Sequence, residues 1–426
     1  MKKLFKLVLA LVLVLGMAAC GNTNNGGTDT PAGDEPEKVE FAIWHTFTKD
    51  QEQLLNDLAN EFMAAHEGVT INVHGGYDSG DFNGVVTNAV TNGVGPQLIF
   101  QYTSFAKSFE GYDLLLPLEE YWDFKLADIC PAGYVEEASA FEDGKVYTAP
   151  IQTTGPVLFY NKTIYDSLGL SEPRTWEDLK VASKKIHDEL GIVGFGCDGK
   201  LTDLAQIFIY QSHDGAYVDL ENNKVLWNDE KTVEWMNYWA EGVREGYFQL
   251  KAQAADGYTS GDINSQLVGA YMGSSAGLPY LYPEENGWEL AVTTVPVIDE
   301  ESVEVVNWNR SAIAFKTDSE ATNQAIADFV AYFIEQDGRW AKVLNAYSPY
   351  YAVQELTEYQ EYVSQDIALI ALGKQLPNGL VPPTFTGGDI MREELHTAFS
   401  GVLADGYDAA TALATAAKNS EAAMNE

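Results

Sequence analysis

With 426 residues, 46% hydrophobic and 12% aromatic side chains, the chain is long enough for more than one hydrophobic core and too aromatic for the disordered class. It carries 63 acidic against 25 basic residues, a formal charge of −38, which repels nucleic acid and anionic headgroups and weighs against an anionic ligand unless a local basic pocket overrides the field. Three cysteines are too few and too widely spaced for a zinc ligand set or a disulfide framework, so Cys130 and Cys197 read as buried thiols.

At the start, Lys2, Lys3 and Lys6 precede an unbroken apolar run from Leu7 to Leu15, too short to span a bilayer as a helix. Residues 1–19 therefore read as a signal peptide. The run ends in Leu15, Gly16, Met17, Ala18, Ala19 and Cys20, which resembles the bacterial lipoprotein cleavage box and implies that Cys20 becomes a lipidated N-terminus outside the cytoplasm. Residues 20–37 are rich in Gly, Asn, Thr, Pro and acid without apolar periodicity, the composition of a flexible tether. Losing the three lysines takes the formal charge to 22 − 63 = −41. About 390 residues then remain, more than one core usually serves, and two lobes are expected.

Val39, Phe41 and Ile43 alternate with Glu40 and Ala42 as in a strand, and after Thr48 the residues Leu54, Leu55, Leu58 and Phe62 follow a helical period, with Thr48 and Gln51 at capping-box spacing. Val69 to Val73 and Pro96 to Tyr102 read as further strands, giving a βαβαβ run on a parallel sheet. A strand from Lys145 to Pro150 and another from Val157 to Tyr160 follow. Thr175 and Asp178 cap a helix to Leu190, and Asp229 opens a helix containing Trp235, Met236, Tyr238 and Trp239. Trp288 to Pro296 and Ser311 to Lys316 read as strands, followed by a helix capped by Thr317 and Glu320 and running through Ile334. No internal repeat is evident.

An ordered series of segments carries a resemblance: FAIWHTFT at 41–48, HGGYD at 74–78, DGKVYTAP at 143–150, GPVLFYNKTIYDSLGL at 155–170, EPRTWEDL at 172–179, GAYMGSSAG at 269–277 and AYSPYYAVQE at 346–355. In this order the chain resembles the family 1 extracellular solute-binding proteins, the maltose-binding and glycerol-phosphate-binding relatives that serve ATP-driven importers. The resemblance implies an α/β, two-lobe periplasmic-binding-protein-like fold, with a ligand cleft between lobes joined by crossing hinge strands and closure on binding. By that analogy the N-terminal lobe is 38–152 plus 297–336 and the C-terminal lobe is 153–296 plus 337–426. It further implies a monomeric, non-enzymatic carbohydrate receptor that needs no cofactor or metal, touches the membrane only through its lipid, and presents its ligand to ABC transporter permease subunits or, alternatively, to a signalling receptor.

A neutral sugar has apolar ring faces and a rim of hydroxyls, so its site needs aromatic platforms with short polar groups. Ligands of open α/β sheets gather at the carboxyl ends of strands. Trp44 and His45 lie at the first such end, Tyr77 and Asp78 just after the second, Tyr102 and Thr103 at the third. Thr153 and Thr154 fall at the inferred lobe crossing, and Ser274 and Ser275 follow a strand of the second lobe, where hydroxyls can donate and accept. Asn307, Trp308, Asn309 and Arg310 form a polar and aromatic cluster read as a loop before the strand at 311, and Arg310 is open to pairing with a local acid. The resemblance adds Tyr347 and, more weakly, Phe385. Glycerol-phosphate-binding relatives show a glutamate where Thr103 stands and an Arg-rich patch where this chain has PTFTGG at 383–388, a departure that favours a neutral sugar over a phosphate.

Three other signals are set aside. Gly273 to Gly277 match a G-x-S-x-G elbow, but Pro279 and Pro283 interrupt the helix it needs, and the only later histidine is His396. Gly194, Gly196 and Gly199 match G-x-G-x-x-G with Asp219 beyond, better read as a turn in an exported protein. Neighbouring acids such as Glu119 and Glu120 suggest a glycosidase only until weighed against 63 acidic residues.

Overall fold

Alternating burial along Val39–Trp44, with Val39, Phe41 and Ile43 inside, places the first strand in a sheet packed beneath helices. The computed structural model describes residues 38–47, 49–78, 81–197, 201–250, 258–383, 385 and 387–425; the expected signal peptide, Cys20, the tether, Thr48 and Gly199 lie outside them. In chain order the strands are β1 (Val39–Trp44), β2 (Val69–His74), β3 (Leu98–Tyr102), β4 (Thr148–Thr154), β5 (Pro156–Asn161), β6 (Val193–Cys197), β7 (Val218–Asp219), β8 (Lys224–Val225), β9 (Phe248–Gln249), β10 (Val268–Ser274), β11 (Leu290–Thr293), β12 (Val305–Val306), β13 (Trp308–Ala314) and β14 (Gly379–Leu380).

They form two five-stranded sheets, β2-β1-β3-β13-β4 and β11-β5-β10-β6-β9, each the centre of a lobe. In the first, β1 is parallel to β2 and β3, while β13 runs antiparallel to both β3 and β4. In the second, β6 is parallel to β10 and β9, and β5 is antiparallel to β10 and β11. Small ladders join β12 to β14 and β7 to β8.

The chain passes between sheets at Gly155, which links β4 to β5, and at Asn307, which links β12 to β13. At 155 the space is tight: a Cβ would come 2.8 Å from Leu372 Cδ1 and 3.3 Å from Asn307 Oδ1, so any larger residue would have to displace the leucine side chain. Val305 and Val306 belong to the core of the second lobe, so the return to the first sheet begins at Trp308 and not at 297. Trp340, Leu344, Tyr350 and Tyr359 share a core with Phe41 and Phe329 of the first lobe, whereas Leu369 and Leu372 pack with Val157 and Phe159 of the second. Residues from 337 to about 360 therefore wrap the first lobe instead of opening the second, because their buried faces meet the first sheet.

Local signals decide several helix ends. Thr175 accepts from the Asp178 N–H while Asp178 reaches back to Thr175, a full capping box on the helix Trp176–Leu190, which stops at Gly191 with φ 69°. Asp229 caps Glu230–Glu245 by accepting from the Thr232 N–H. On Glu320–Glu335 the cap is Ser319, not Thr317; the Thr317 hydroxyl is engaged by Asn323 and by the Ser319 backbone. Cys130 is buried in the first core and Cys197 in the second, so no disulfide joins them.

Candidate functional site

The carboxyl ends of β1, β2 and β3 hold the first group of expected residues on neighbouring strands. Trp44 stacks on Tyr77 with ring centroids 5.1 Å apart and planes inclined by 26°, and Tyr77 leans on Phe82 at 5.5 Å. Both Trp44 and Tyr77 stay partly exposed, a supported aromatic surface at the sheet end. Burial raises the Tyr77 hydroxyl above its ordinary pKa. Asp78 is exposed beside this pair, and Tyr102, at the end of β3, is 43% exposed. His45 is wholly buried: its Nδ1 accepts from the Phe47 N–H at 3.1 Å, and desolvation lowers its pKa despite an opposing pull from Glu52.

Towards the opposite edge of the sheet, at β13 and β4, the crossing strands are braced by an internal polar network. Asn309 Nδ2 donates to Glu137 at 2.8 Å, Thr153 Oγ1 donates to Asn309 Oδ1 at 2.9 Å, and with that proton committed the Tyr134 hydroxyl donates to Thr153 at 2.5 Å. Thr103 and Thr148 hydroxyls meet at 3.1 Å. Burial pushes Glu137 up to about 7 against the hydrogen bonds it receives from Asn309 and Thr103. Thr103, Thr153 and Asn309 thus spend their polar groups inside the protein, where the sequence reading has them meeting a ligand. Thr153 also exchanges both backbone hydrogen bonds with Tyr347 at 2.9 Å, tying the segment after the helix Asp337–Leu344 to β4 beside the crossing. Glu137 and Tyr134 had no distinguishing mark in the sequence.

Asn307 is the crossing residue, and Trp308 to Arg310 are the opening residues of β13 instead of a loop, paired with Thr154, Thr153 and Gln152 of β4. Trp308 is partly exposed and packs on the edge of the second core. Thr154 is buried, with its hydroxyl 3.5 Å from the Trp308 carbonyl. Arg310 is partly exposed, its guanidinium 5.5 Å from the Phe47 ring centroid, and no carboxylate lies within ion-pair distance of it among the described residues. The open expectation of a local acid partner is therefore not met.

From the second lobe, Ser274 ends β10 and accepts from the Ala276 N–H at 3.3 Å, while Ser275 is buried and donates its N–H to the Gly155 carbonyl at 2.8 Å. Both sit at the Gly155 crossing, but Ser275 lies within a 3-10 helix, closed to the nucleophile role of an elbow serine. Tyr347 is partly exposed, and Phe385 rests on the second core. Gly194 belongs to β6 and touches the backbone of Ser183, and Gly196 faces Thr259, so these glycines serve close helix packing. Among the described residues no group of three His, Cys, Asp or Glu side chains could hold a metal ion, and no helix is long and apolar enough to cross a membrane.

The expected residues thus gather at the strand ends of the first sheet, the two crossings and the end of β10. Among curated proteins, a maltotriose-binding protein of Pyrococcus abyssi is 25% identical over 205 residues, 48% of this chain and 43% of that relative. The matched stretch therefore spans less than half of the relative's length. Among solved structures, the cyclic alpha-maltosyl-1,6-maltose binding protein of Arthrobacter globiformis superposes with a TM-score of 0.76 at 20% identity, covering 91% of this chain and 99% of that one. The GacH receptor of Streptomyces glaucescens, solved unliganded and with acarbose, gives a TM-score of 0.78 at 17% identity over 92% of this chain and 100% of that one. Both share the two-lobe periplasmic-binding-protein fold along nearly the whole described chain. The model of the bacterial extracellular solute-binding proteins matches residues 48–340, more than half of the chain, and the protein belongs to that family.

Proposed function

We propose that this protein is an extracytoplasmic substrate-binding lipoprotein that captures a mono- or oligosaccharide between its lobes and delivers it, unchanged, to the permease of an ABC transporter. The observation that carries the sugar reading is the stacked, partly exposed Trp44–Tyr77 pair at the strand ends of the first sheet, with Tyr102 on a neighbouring strand and Trp308 at the crossing. Aromatic faces beside short polar groups suit pyranose rings. The relatives that bind maltotriose, a cyclic maltosyl-maltose and acarbose support the same class of ligand. Lipidation at Cys20 and a lobe division near Gly155, Asn307 and residue 366 complete the proposal, so that the ligand is held where three connections let the lobes close.

The test is thermal unfolding of the protein from Gly21 onward against mono- and oligosaccharides, polyols and glycerol phosphates, with each compound analysed afterwards for turnover. Ligand at about a hundred times its dissociation constant adds about 2.7 kcal/mol of stability. A midpoint raised by one sugar that is recovered intact supports a transport receptor. Consumption of the sugar would instead make the protein a carbohydrate-active enzyme, and a response to glycerol phosphates alone would move the ligand to that class.

A further inference from the structure

The carboxyl of Glu137 is held where three strands of the first sheet end: Thr103 directly follows β3, Asn309 is the second residue of β13, and Thr153 is the last but one of β4. Asn309 donates to it at 2.8 Å and Thr103 donates as well, while Thr153, with the Tyr134 hydroxyl on it, completes the network behind Asn309. These strand ends border the Gly155 and Asn307 crossings, so the group sits at the hinge on which the lobes turn. Thr103, Thr153 and Asn309 are buried, whereas Glu137 keeps partial access to water.

Among the described residues, the cations on the surrounding elements are engaged elsewhere. Lys107 pairs with Glu110 at 2.7 Å, Arg339 with Glu61 at 2.8 Å and Lys342 with Glu358 at 3.9 Å, and Arg310 lies over Phe47. The other titratable neighbours are Tyr134 and Cys130, both kept neutral by burial, Asp337, which burial raises and Ser348 hydrogen-bonds, Tyr350, and the exposed Glu136 and Asp128. Two hydrogen bonds therefore oppose desolvation without help from a positive charge, and desolvation wins, so that the group titrates at about 7. Water is what remains to stabilise its charged form, and lobes that close over a ligand at the strand ends take that water away.

We infer that ligand capture between the lobes is coupled to uptake of a proton by Glu137, so that affinity is highest in acid and falls as the medium turns alkaline. The inference rests on the carbohydrate-capture reading above and adds a pH dependence to the same site. Closure favours the uncharged carboxyl, so the group binds more proton in the complex than in the free protein, and binding weakens as pH rises past its titration in the free protein. Closure that moves the group from about 7 to about 8 lowers affinity about sixfold between about pH 6.5 and 8.5.

The experiment is titration calorimetry of the protein and of Glu137→Gln with glucose, maltose and maltotriose near pH 6.5, 7.5 and 8.5, each in two buffers of different ionisation enthalpy, which counts the protons exchanged on binding. The protein should take up about half a proton near pH 7.5 and lose about sixfold in affinity across the range, whereas Glu137→Gln should take up none and keep a level profile. His45, His74 and Asp337 are the same in both proteins, so uptake that persists in the variant belongs to other groups and overturns the inference. Release of protons by the parent, or no exchange, overturns it too while leaving a carbohydrate receptor in place. Binding of none of the sugars would overturn the sugar reading and this inference with it. Should Glu137→Gln fail to fold, infrared difference spectra of the unaltered protein carrying isotope-labelled glutamate decide: sugar must raise a labelled band of protonated carboxyl near pH 7.5, and its absence sinks the inference.

Discussion

Replacing Glu137 with glutamine should change how the stability of the protein depends on pH. The carboxyl accepts from Asn309 at 2.8 Å and from Thr103, and no cation is among the groups that shift it. Burial consequently lifts its pKa from the ordinary 4.5 to about 7. Between those values the folded protein keeps a proton that the unfolded chain has released, so this group contributes stability below pH 4.5 that is lost as pH rises through 7. The whole interval corresponds to about 3 kcal/mol, reduced by solvent around a partly exposed residue to about 1–2 kcal/mol. Glutamine keeps an acceptor for Asn309 and does not ionise. The variant should therefore match the parent near pH 5 and exceed it by about 1–2 kcal/mol near pH 8. Urea unfolding followed by tryptophan fluorescence at the two pH values measures this. Asp337, which burial raises well above its usual range, and Tyr134, pushed up to about 12, are common to both proteins and cancel in the comparison. Parallel pH profiles, or a variant less stable at pH 8, would refute the reasoning.

Trp44→Ala and Tyr77→Ala should each weaken sugar binding by about tenfold or more, about 1.4 kcal/mol, when measured by calorimetry; unchanged affinity in both would remove the stacked pair from the ligand site. Gly194→Ala drives a Cβ into the backbone of Ser183 on the neighbouring helix, and the thermal midpoint should fall by an amount matching about 1–3 kcal/mol. Cells producing the protein should yield a mature chain beginning at a diacylglyceryl-modified Cys20 by mass spectrometry, and Cys20→Ala should shift the protein from the membrane fraction to the medium; an unmodified, internal Cys20 would refute the anchor.

What could be read from the sequence was what local chemistry decides. The alternation survives: Val39, Phe41 and Ile43 are buried while Glu40 is exposed and Ala42 and Trp44 are half-buried, because one face of that strand meets one core. Thr175 and Asp229 are legible as caps since each bonds a backbone N–H three residues ahead. Thr317 fails by the same logic: Ser319 lies two residues on with an equivalent hydroxyl, and backbone direction alone decides which of them caps. The helices after 337 announce a buried face but not the sheet it meets, so their assignment to a lobe needed tertiary structure.

The site divides along the same line. Aromatics at strand ends were predictable, because parallel strands deliver their carboxyl ends to one edge. Glu137, by contrast, is one of 63 acids, on a short helix, and its partner Asn309 lies 172 residues away. The polar run at 307–310 looked like a loop because the partners that satisfy it stand on β4 and on the helix Ala132–Ala138, far off in sequence. Once those residues are strand, a period of two sorts them. Thr153 and Asn309 turn inward to Glu137, and Gln152, Arg310 and Trp308 take the other face. Polar residues at a hinge therefore point to a ligand only after the strand pairing says which of them are already spent on the hinge itself, as Thr153 and Asn309 are here.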